Sequence, residues 1–220
     1  MMTEIGFLGG TGAEARGLAL RFAAAGFRIV LGSRERERAE KAAEACNQLL
    51  ADPCVRGSEN AAMLKAAALV FLTTPYHQAV NAVEACRYAF RADQILVDVT
   101  VPMAFAAGRP CYVEQEEGSM AEHIARHLPG SLPLVAAFKT IPAAVLGNLA
   151  LPLDCDVFLC GDVPQAKIDV MAAVSRIPAV RPLDAGSLSM ARTLERMAVL
   201  AATLNAHYRK RGARFRVVGL

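Results

Sequence analysis

Apolar runs of strand length alternate along this chain with segments of helical period. Ile5-Gly6-Phe7-Leu8 opens the series and predicts a buried strand over 5–9. An Ala/Leu-rich helix over 12–25 follows and stops at Gly26. Residues 28–32 read as a second strand, and 35–50 as an amphipathic helix with Arg, Glu and Lys on its wet face. After a short excursion ending near Gly57, Ser58 reads as the cap of a helix over 59–66. Residues 68–73 (Ala-Leu-Val-Phe-Leu-Thr) are a third, apolar strand, and Pro75 suits the first turn of a helix at 76–89. Strands at 94–99 and 132–138 flank a helix at 119–128. A sixth strand at 156–160, a helix opened by Pro164 and ended by Pro178, an edge strand at 179–183 and a long helix at 187–208 complete the series.

Continuous apolar strands alternating with helices mean a parallel sheet covered on both faces. The fold class is α/β: a doubly wound, mostly parallel sheet, Rossmann-like, with a small C-terminal helical extension. No repeat or long linker divides the chain, so residues 1–220 read as a single domain. The longest irregular segment is 100–118, where a doubly wound sheet places its ligand crevice.

Composition adds mainly exclusions. A hydrophobic fraction of 54% against 20% charged residues supplies a large core and argues against disorder. A net charge of +3 is too small to argue for a nucleic-acid or membrane-surface partner. No basic segment leads an apolar run at the N-terminus, and no apolar stretch has transmembrane length, so the expected location is the cytoplasm. The cysteines at 46, 54, 86, 111, 155 and 160 form no C-x-x-C pair and read as reduced thiols. Cys155 and Cys160 are oddly spaced in one strand-like run, so they should face opposite ways, and no metal site is expected.

The first strand runs directly into Gly10-x-Gly12-x-x-Ala15. Gly10 is expected to permit the tight turn, Gly12 to let a pyrophosphate approach the backbone, and Ala15 to let the helix lie close on the strand. The helix N-terminus supplies free N–H groups to the phosphates. Gly10, Thr11, Gly12, Ala13 and Glu14 are therefore the expected cofactor contacts here. The second strand ends in Gly32-Ser33-Arg34, whereas NAD binding calls for an acid at that point. Ser33 can donate to phosphate oxygens, Arg34 can pair with the charge and stack on adenine, and Arg38 lies about one turn further on. Thr11 is a further donor. This set selects a nucleotide with a 2′-phosphate, hence NADP(H). Thr73-Thr74-Pro75 closes the third strand at the carboxyl edge, so Thr74 and Pro75, with Tyr76 and His77 beside them, should lie against the other half of the dinucleotide.

No tyrosine has a lysine four residues later, and no large helical domain follows the last strand. A hydride donor needs no protein acid when its acceptor carries its own electron sink. The second pocket must come from loops: Thr100-Val101-Pro102-Met103, Phe138 to Ala144, and Leu183 to Leu188. Their mostly apolar lining suits a flat heteroaromatic ring stacked on nicotinamide. Val101 is a further expected cofactor contact. Lys139, Thr140, Ile141 and Pro142 are pocket candidates, and no residue is assigned as catalytic. The portion from about 150 to 220 is expected to complete the substrate slot.

Gly9-Gly10-Thr11-Gly12 with Gly32-Ser33-Arg34, Thr140-Ile141-Pro142-Ala143-Ala144, Cys160-Gly161-Asp162 and Arg181 to Leu188 resemble the NADPH-dependent F420 reductases over nearly the whole chain. The reductase domain of the STEAP metalloreductases is similar. The resemblance implies a compact Rossmann fold, a homodimer, and direct hydride transfer between NADPH and the deazaflavin coenzyme F420. It makes Thr11, Ser33, Arg34 and Arg38 the 2′-phosphate binders, and Thr140, Ile141 and Pro142 the wall where nicotinamide meets deazaflavin. Two features depart from the family. Lys139 stands where it often has His, as either an anion binder or a salt-bridged lysine. The tail carries Arg209, Lys210, Arg211, Arg214 and Arg216, as either an attractor for an anionic substrate such as F420 or a solvated helix end. Two other readings keep the nucleotide: an NADPH-dependent reductase of a flavin, pterin or small carbonyl or imine compound, and a non-catalytic NADP(H) sensor.

Overall fold

The first apolar run forms strand β1 (Glu4–Leu8), which lies inside a six-stranded sheet of order β3-β2-β1-β4-β5-β8. Its other strands are β2 (Arg28–Ser33), β3 (Val55–Glu59), β4 (Leu69–Leu72), β5 (Ile95–Asp98) and β8 (Leu134–Ala136). The computed structural model describes residues 4–130 and 132–220. All five ladders of this sheet are parallel, as the alternation of apolar runs implies. Order reverses between β1 and β4, which both start crossovers from the middle of the sheet. That is the switch point, where such folds bind ligands.

Alternate residues of each strand feed two cores. Ile5, Phe7, Leu31 and Phe71 pack under α1 (Ala13–Ala24), α2 (Arg36–Asn47) and α7 (Pro164–Val174). Leu8, Val30, Val70 and Leu72 pack under α3 (Asn60–Ala66), α4 (Tyr76–Ala85) and α5 (Met120–His127). Burying one such side chain contributes about 1.5–3 kcal/mol. Cys155 belongs to the first core and Cys160 to the second, as their odd spacing requires. Among the described residues no helix is long and apolar enough to cross a membrane.

Three segments differ from the reading of the sequence. The excursion before Gly57 contains β3, an edge strand whose first residue is held through the Asn47 side chain: Nδ2 donates to Val55 O at 2.8 Å and Oδ1 accepts from Val55 N at 3.0 Å. The ladder with β2 runs on to Glu59, so Ser58 lies in the strand and Glu59, not Ser58, occupies the N-cap of α3. The supposedly irregular stretch after residue 100 contains a hairpin, β6 (Met103–Ala106) and β7 (Arg109–Tyr112). Ala107 and Gly108 turn it with φ of +48° and +75°, both left-handed, as a two-residue hairpin turn requires.

The third difference lies at the far edge. β9 (Cys155–Leu159) and β10 (Val180–Asp184) pair in parallel with each other but form a separate two-stranded sheet. It joins β8 only through an antiparallel bridge between Ala136 and Cys160. β8 is three residues long, and the chain turns away at Phe138 with φ of +56°, so no longer ladder is available. The last long helix is α8 (Ala191–His207), preceded by a short 3-10 turn at Leu188–Met190.

Candidate functional site

The Gly-rich turn leaves β1 at its carboxyl end. Gly9, at φ +79°, supplies the left-handed step. Gly10, whose φ is not positive, serves the tight turn by leaving space. Its N–H donates to Gly32 O at 2.7 Å, and a Cβ there would lie 3.0 Å from both Cα and Cβ of Leu31. Its missing side chain lets the turn pass against β2. Gly12 is the N-cap of α1, and a Cβ added to it meets nothing within 4 Å. That open space faces the free N–H groups of the helix start, as a pyrophosphate requires. Ala15 is wholly buried beneath.

Two clefts flank this turn. One, of about 680 Å³, runs towards the end of β2 and is walled by Thr11, Ser33, Arg34, Arg38 and Asn60. The other, of about 650 Å³, runs towards β5 and β8 and is walled by Ala13, Glu14, Val101, Met103, Lys139 and Ile141. Both are lined by Gly12 and Thr73 to Pro75, so together they make one furrow across the carboxyl ends of the strands.

At the β2 end, Ser33 is buried and its Oγ accepts from the Glu35 N–H at 3.3 Å, which leaves the hydroxyl proton for an incoming acceptor. Arg34 is exposed and makes no hydrogen bond or ion pair among the described residues. Arg38 holds only Glu35, at 3.5 Å, with both side chains exposed. Such a pair is worth little and yields to a phosphate dianion. Thr74 Oγ1 and Asn60 Oδ1 are buried without a partner, and both residues line the furrow. An unmade buried hydrogen bond costs about 1–3 kcal/mol. With Ser33, Arg34 and Arg38 these residues give the furrow a polar and cationic lining that fits NADP(H). Asn60, Gln78 and Asn81 of α3 and α4 were not read from the sequence, where isolated amides on helices carry no signal.

The opposite end is organised by Lys139. Phe138 packs against Phe22 and Phe71, with ring centroids 5.8 and 6.0 Å away. That packing holds its left-handed backbone, a conformation that costs a bulky residue about 1–3 kcal/mol. The turn sends Lys139 inward, and its side chain is 1% exposed. Its Nζ donates to Asp98 Oδ2 at 2.6 Å and to Thr100 O at 2.5 Å, and lies 3.2 Å from Glu195 Oε1. Glu195, fully buried on α8, also accepts from the Met120 and Ala121 N–H groups at 3.0 and 3.2 Å and from Tyr112 Oη at 2.8 Å. Burial alone would lower the Lys139 pKa, but Asp98 and Glu195 outweigh it and hold the ammonium above its ordinary range. Of the two alternatives for Lys139, it is the salt-bridged lysine, not a free anion binder. Asp98 and Glu195 were missed; the signal was a lone acid ending an apolar strand and a lone cation after another.

Ile141 lines the second cleft, whereas Thr140 and Pro142 line neither. Thr140 is buried, and Pro142 is the N-cap of α6 (Ala143–Leu146). That helix is clamped to α1 by Arg21, which donates to the carbonyls of Val145, Leu146, Asn148 and Leu151 at 2.5–2.9 Å. The basic tail lies elsewhere. Arg214 donates to Leu153 O and Gly212 O, Arg216 pairs with Asp154, and the Phe215 carbonyl accepts from Asp156 N at 2.9 Å. None of the five basic tail residues lines either cleft. Two of them are thereby tied to the loop before β9 and to the tail itself, and are not displayed to a substrate. The third loop, Leu183 to Leu188, also lines neither cleft. Among the described residues no group of His, Cys, Asp and Glu is gathered as for a metal ion.

Parallel sheet, Gly-rich turn and a cationic pocket beyond β2 together define a dinucleotide-binding α/β domain of the oxidoreductase class. The sequence profile described as "NADP oxidoreductase coenzyme F420-dependent" matches residues 4–102. The chain is 35% identical over 225 residues to the F420-dependent NADP reductase of Methanothermobacter thermautotrophicus, covering 100% of this chain and 97% of that one. It is 31% identical over 193 residues to the metalloreductase STEAP3 of Rattus norvegicus, covering 87% of this chain and 36% of that protein. The crystal structure of a candidate F420-dependent NADP reductase from Arthrobacter sp. FB24 superposes with a TM-score of 0.81 at 23% identity, over 99% of this chain and 100% of the other, and has the same fold. The chain belongs to the family of F420-dependent NADP reductases.

Proposed function

We propose that this protein is an oxidoreductase that transfers hydride directly between NADP(H) and coenzyme F420. The observation that carries the nucleotide half is the pair of guanidiniums, Arg34 without a partner among the described residues and Arg38 holding only exposed Glu35, beside Ser33 at one end of a furrow that starts from a helix N-terminus. When bound, the two coenzymes supply the chemistry: a nicotinamide that gives or takes hydride and a deazaflavin ring that does the reverse. The chain's own part is to bind and orient. Thr11, Ser33, Arg34 and Arg38 hold the 2′-phosphate; Gly12 and Ala13 admit the pyrophosphate, with Gly10 seating the turn against β2; Thr74, Pro75 and Val101 shape the other half of the furrow. Ile141, Val101 and Met103 present apolar walls that keep water from the rings. Lys139, with Asp98 and Glu195 beneath it, fixes that wall in place; through Glu195 the portion from about 150 to 220 supports the slot from behind and lines neither cleft. Catalysis is then mainly proximity, with reacting carbons about 3–3.5 Å apart.

The resemblance's homodimer is part of the same proposal. Leu200, Leu204 and Tyr208 lie exposed at four-residue spacing along the end of α8, a stripe that a second copy would cover. We place the enzyme in the cytoplasm. Purified protein mixed with NADPH and F420 should bleach the deazaflavin's visible absorbance in proportion to added NADPH. Unchanged absorbance across the pH range, with folded protein, would remove F420 as the acceptor; oxidation of NADPH by a flavin, pterin or imine instead would name the replacement.

A further inference from the structure

Glu14 is set where a pyrophosphate-binding turn has no evident use for a negative charge. It stands in the first turn of α1, half-buried, and lines the Lys139 half of the furrow together with Gly12 and Ala13 of its own element. Among the described residues its carboxyl has no hydrogen bond and no ion pair. From α4, Tyr76 and His77 line the same cleft. From the β8–α6 connection comes Lys139, whose ammonium is committed to Asp98, Glu195 and Thr100 O. The loop after β5 adds Thr100, Val101 and Met103, none of them charged. On α1 itself the next ionisable residue is Arg16, which is exposed. Two effects compete at Glu14. The helix N-terminus favours a carboxylate. Burial without a cation opposes it and prevails, pushing the carboxyl up to about 8.

We propose that Glu14 couples a proton to the charge of the nicotinamide ring, staying protonated opposite the neutral ring of NADPH and ionising opposite the cationic ring of NADP+. This rests on the reading that NADP(H) fills the furrow. The overall balance is NADPH + F420 + H+ giving NADP+ + F420H2. Two electrons and one hydrogen nucleus leave the nicotinamide as hydride. The remaining proton is the one released when the Glu14 O–H bond breaks; it ends on the deazaflavin, forming the N–H bond of F420H2, and bulk water reprotonates Glu14 after NADP+ departs. The proton demand of the reaction and the charge change of the cofactor are thus met at one side chain. Glu14 is also a selector of redox state: raising the pH towards about 8 tightens the oxidised nucleotide and leaves the reduced one unaffected.

The test needs no turnover. Titration calorimetry of the binary complexes at pH 7, in buffers of different ionisation enthalpy, counts protons released on binding. The wild-type protein should release close to one proton more with NADP+ than with NADPH. The 2′-phosphate is common to both nucleotides and cancels. In Glu14→Gln that difference should vanish while both nucleotides still bind. Equal proton counts for the two nucleotides in wild type, or a difference that survives in Glu14→Gln, would overturn the proposal. Failure of wild type to bind either nucleotide would overturn the reading beneath it as well. Melting of the ligand-free protein gives an independent check. The folded pKa lies above the unfolded one, so between about 4.5 and 8 the unfolded chain ionises first and stability falls as pH rises. Glu14→Gln, or Glu14→Leu if Gln disturbs the turn, should lose that slope; an unchanged slope counts against the proposal.

Discussion

Lys139 Nζ and Asp98 Oδ2 lie 2.6 Å apart with neither side chain reaching solvent, at the edge where β5 and β8 meet the furrow. Glu195 of α8 closes the group. Removing one member of a buried ionic set leaves uncompensated charge and costs about 3–5 kcal/mol. Lys139→Met should therefore lower the melting temperature by roughly 10 °C, taking about 2–4 °C per kcal/mol for a chain of this size. Because the Lys139 pKa is raised, its contribution is fully present below the ordinary lysine value of 10.5 and is lost only as pH rises through the folded value. Wild type and Lys139→Met should thus differ by a constant amount from pH 7 to 9, measured by calorimetry, and converge only in stronger alkali.

Arg34→Ala should weaken NADPH at least tenfold and leave NADH almost unaffected. The guanidinium has no partner in the described protein to lose, so the change falls on the 2′-phosphate, at about 1.5–3 kcal/mol for a charge-assisted hydrogen bond. Dissociation constants for both nucleotides check this. Equal losses would assign Arg34 a structural role.

Two glycines of one turn should fail in opposite ways. Gly12→Val places its side chain in open space, so the protein should fold and melt as wild type but bind neither nucleotide. Gly10→Ala sets a Cβ 3.0 Å from Leu31, so it should lower stability before it lowers affinity. Melting and nucleotide titration on each variant separate the two.

At the other end of the molecule, Asp156 is held well below the usual carboxylate range, chiefly by the Arg181 guanidinium that binds it at 2.8 Å through both oxygens. Its contribution is present above the ordinary value of 3.8 and lost as pH falls through the folded one. The Val217 N–H also donates to this carboxylate, at 2.6 Å. Asp156→Asn should flatten the acid limb of the stability curve and expose the tail from about Gly212 to trypsin, without changing NADPH affinity.

What the sequence disclosed follows from how local each signal is. The Gly-rich turn, the end of β2 and the strand–helix alternation are written in contiguous residues, and the furrow gathers Thr11, Ser33, Arg34 and Arg38 as that reading requires. β3 is half polar and closes under α2 at Gly57, where a side chain would strike the Ala39 and Glu40 backbone; without that packing it looks like a loop. The hairpin after β5 has Ala107, not Asn or Gly, at its first turn position, which concealed it. Lys139 meets Glu195 only because α8 returns across the sheet edge, a contact between residues far apart in sequence that no local pattern encodes. The role of the basic tail stayed open in the sequence for the same reason: Arg214 and Arg216 find their partners in the loop before β9.

The central claim, direct hydride transfer between the two coenzymes, is tested most directly by a single turnover with NADPH carrying deuterium at both C4 positions of the nicotinamide. The reduced deazaflavin recovered from the reaction should carry one deuterium, detected by mass spectrometry, with the label undiluted by solvent hydrogen. F420 left unreduced, or reduced without the label, would contradict it.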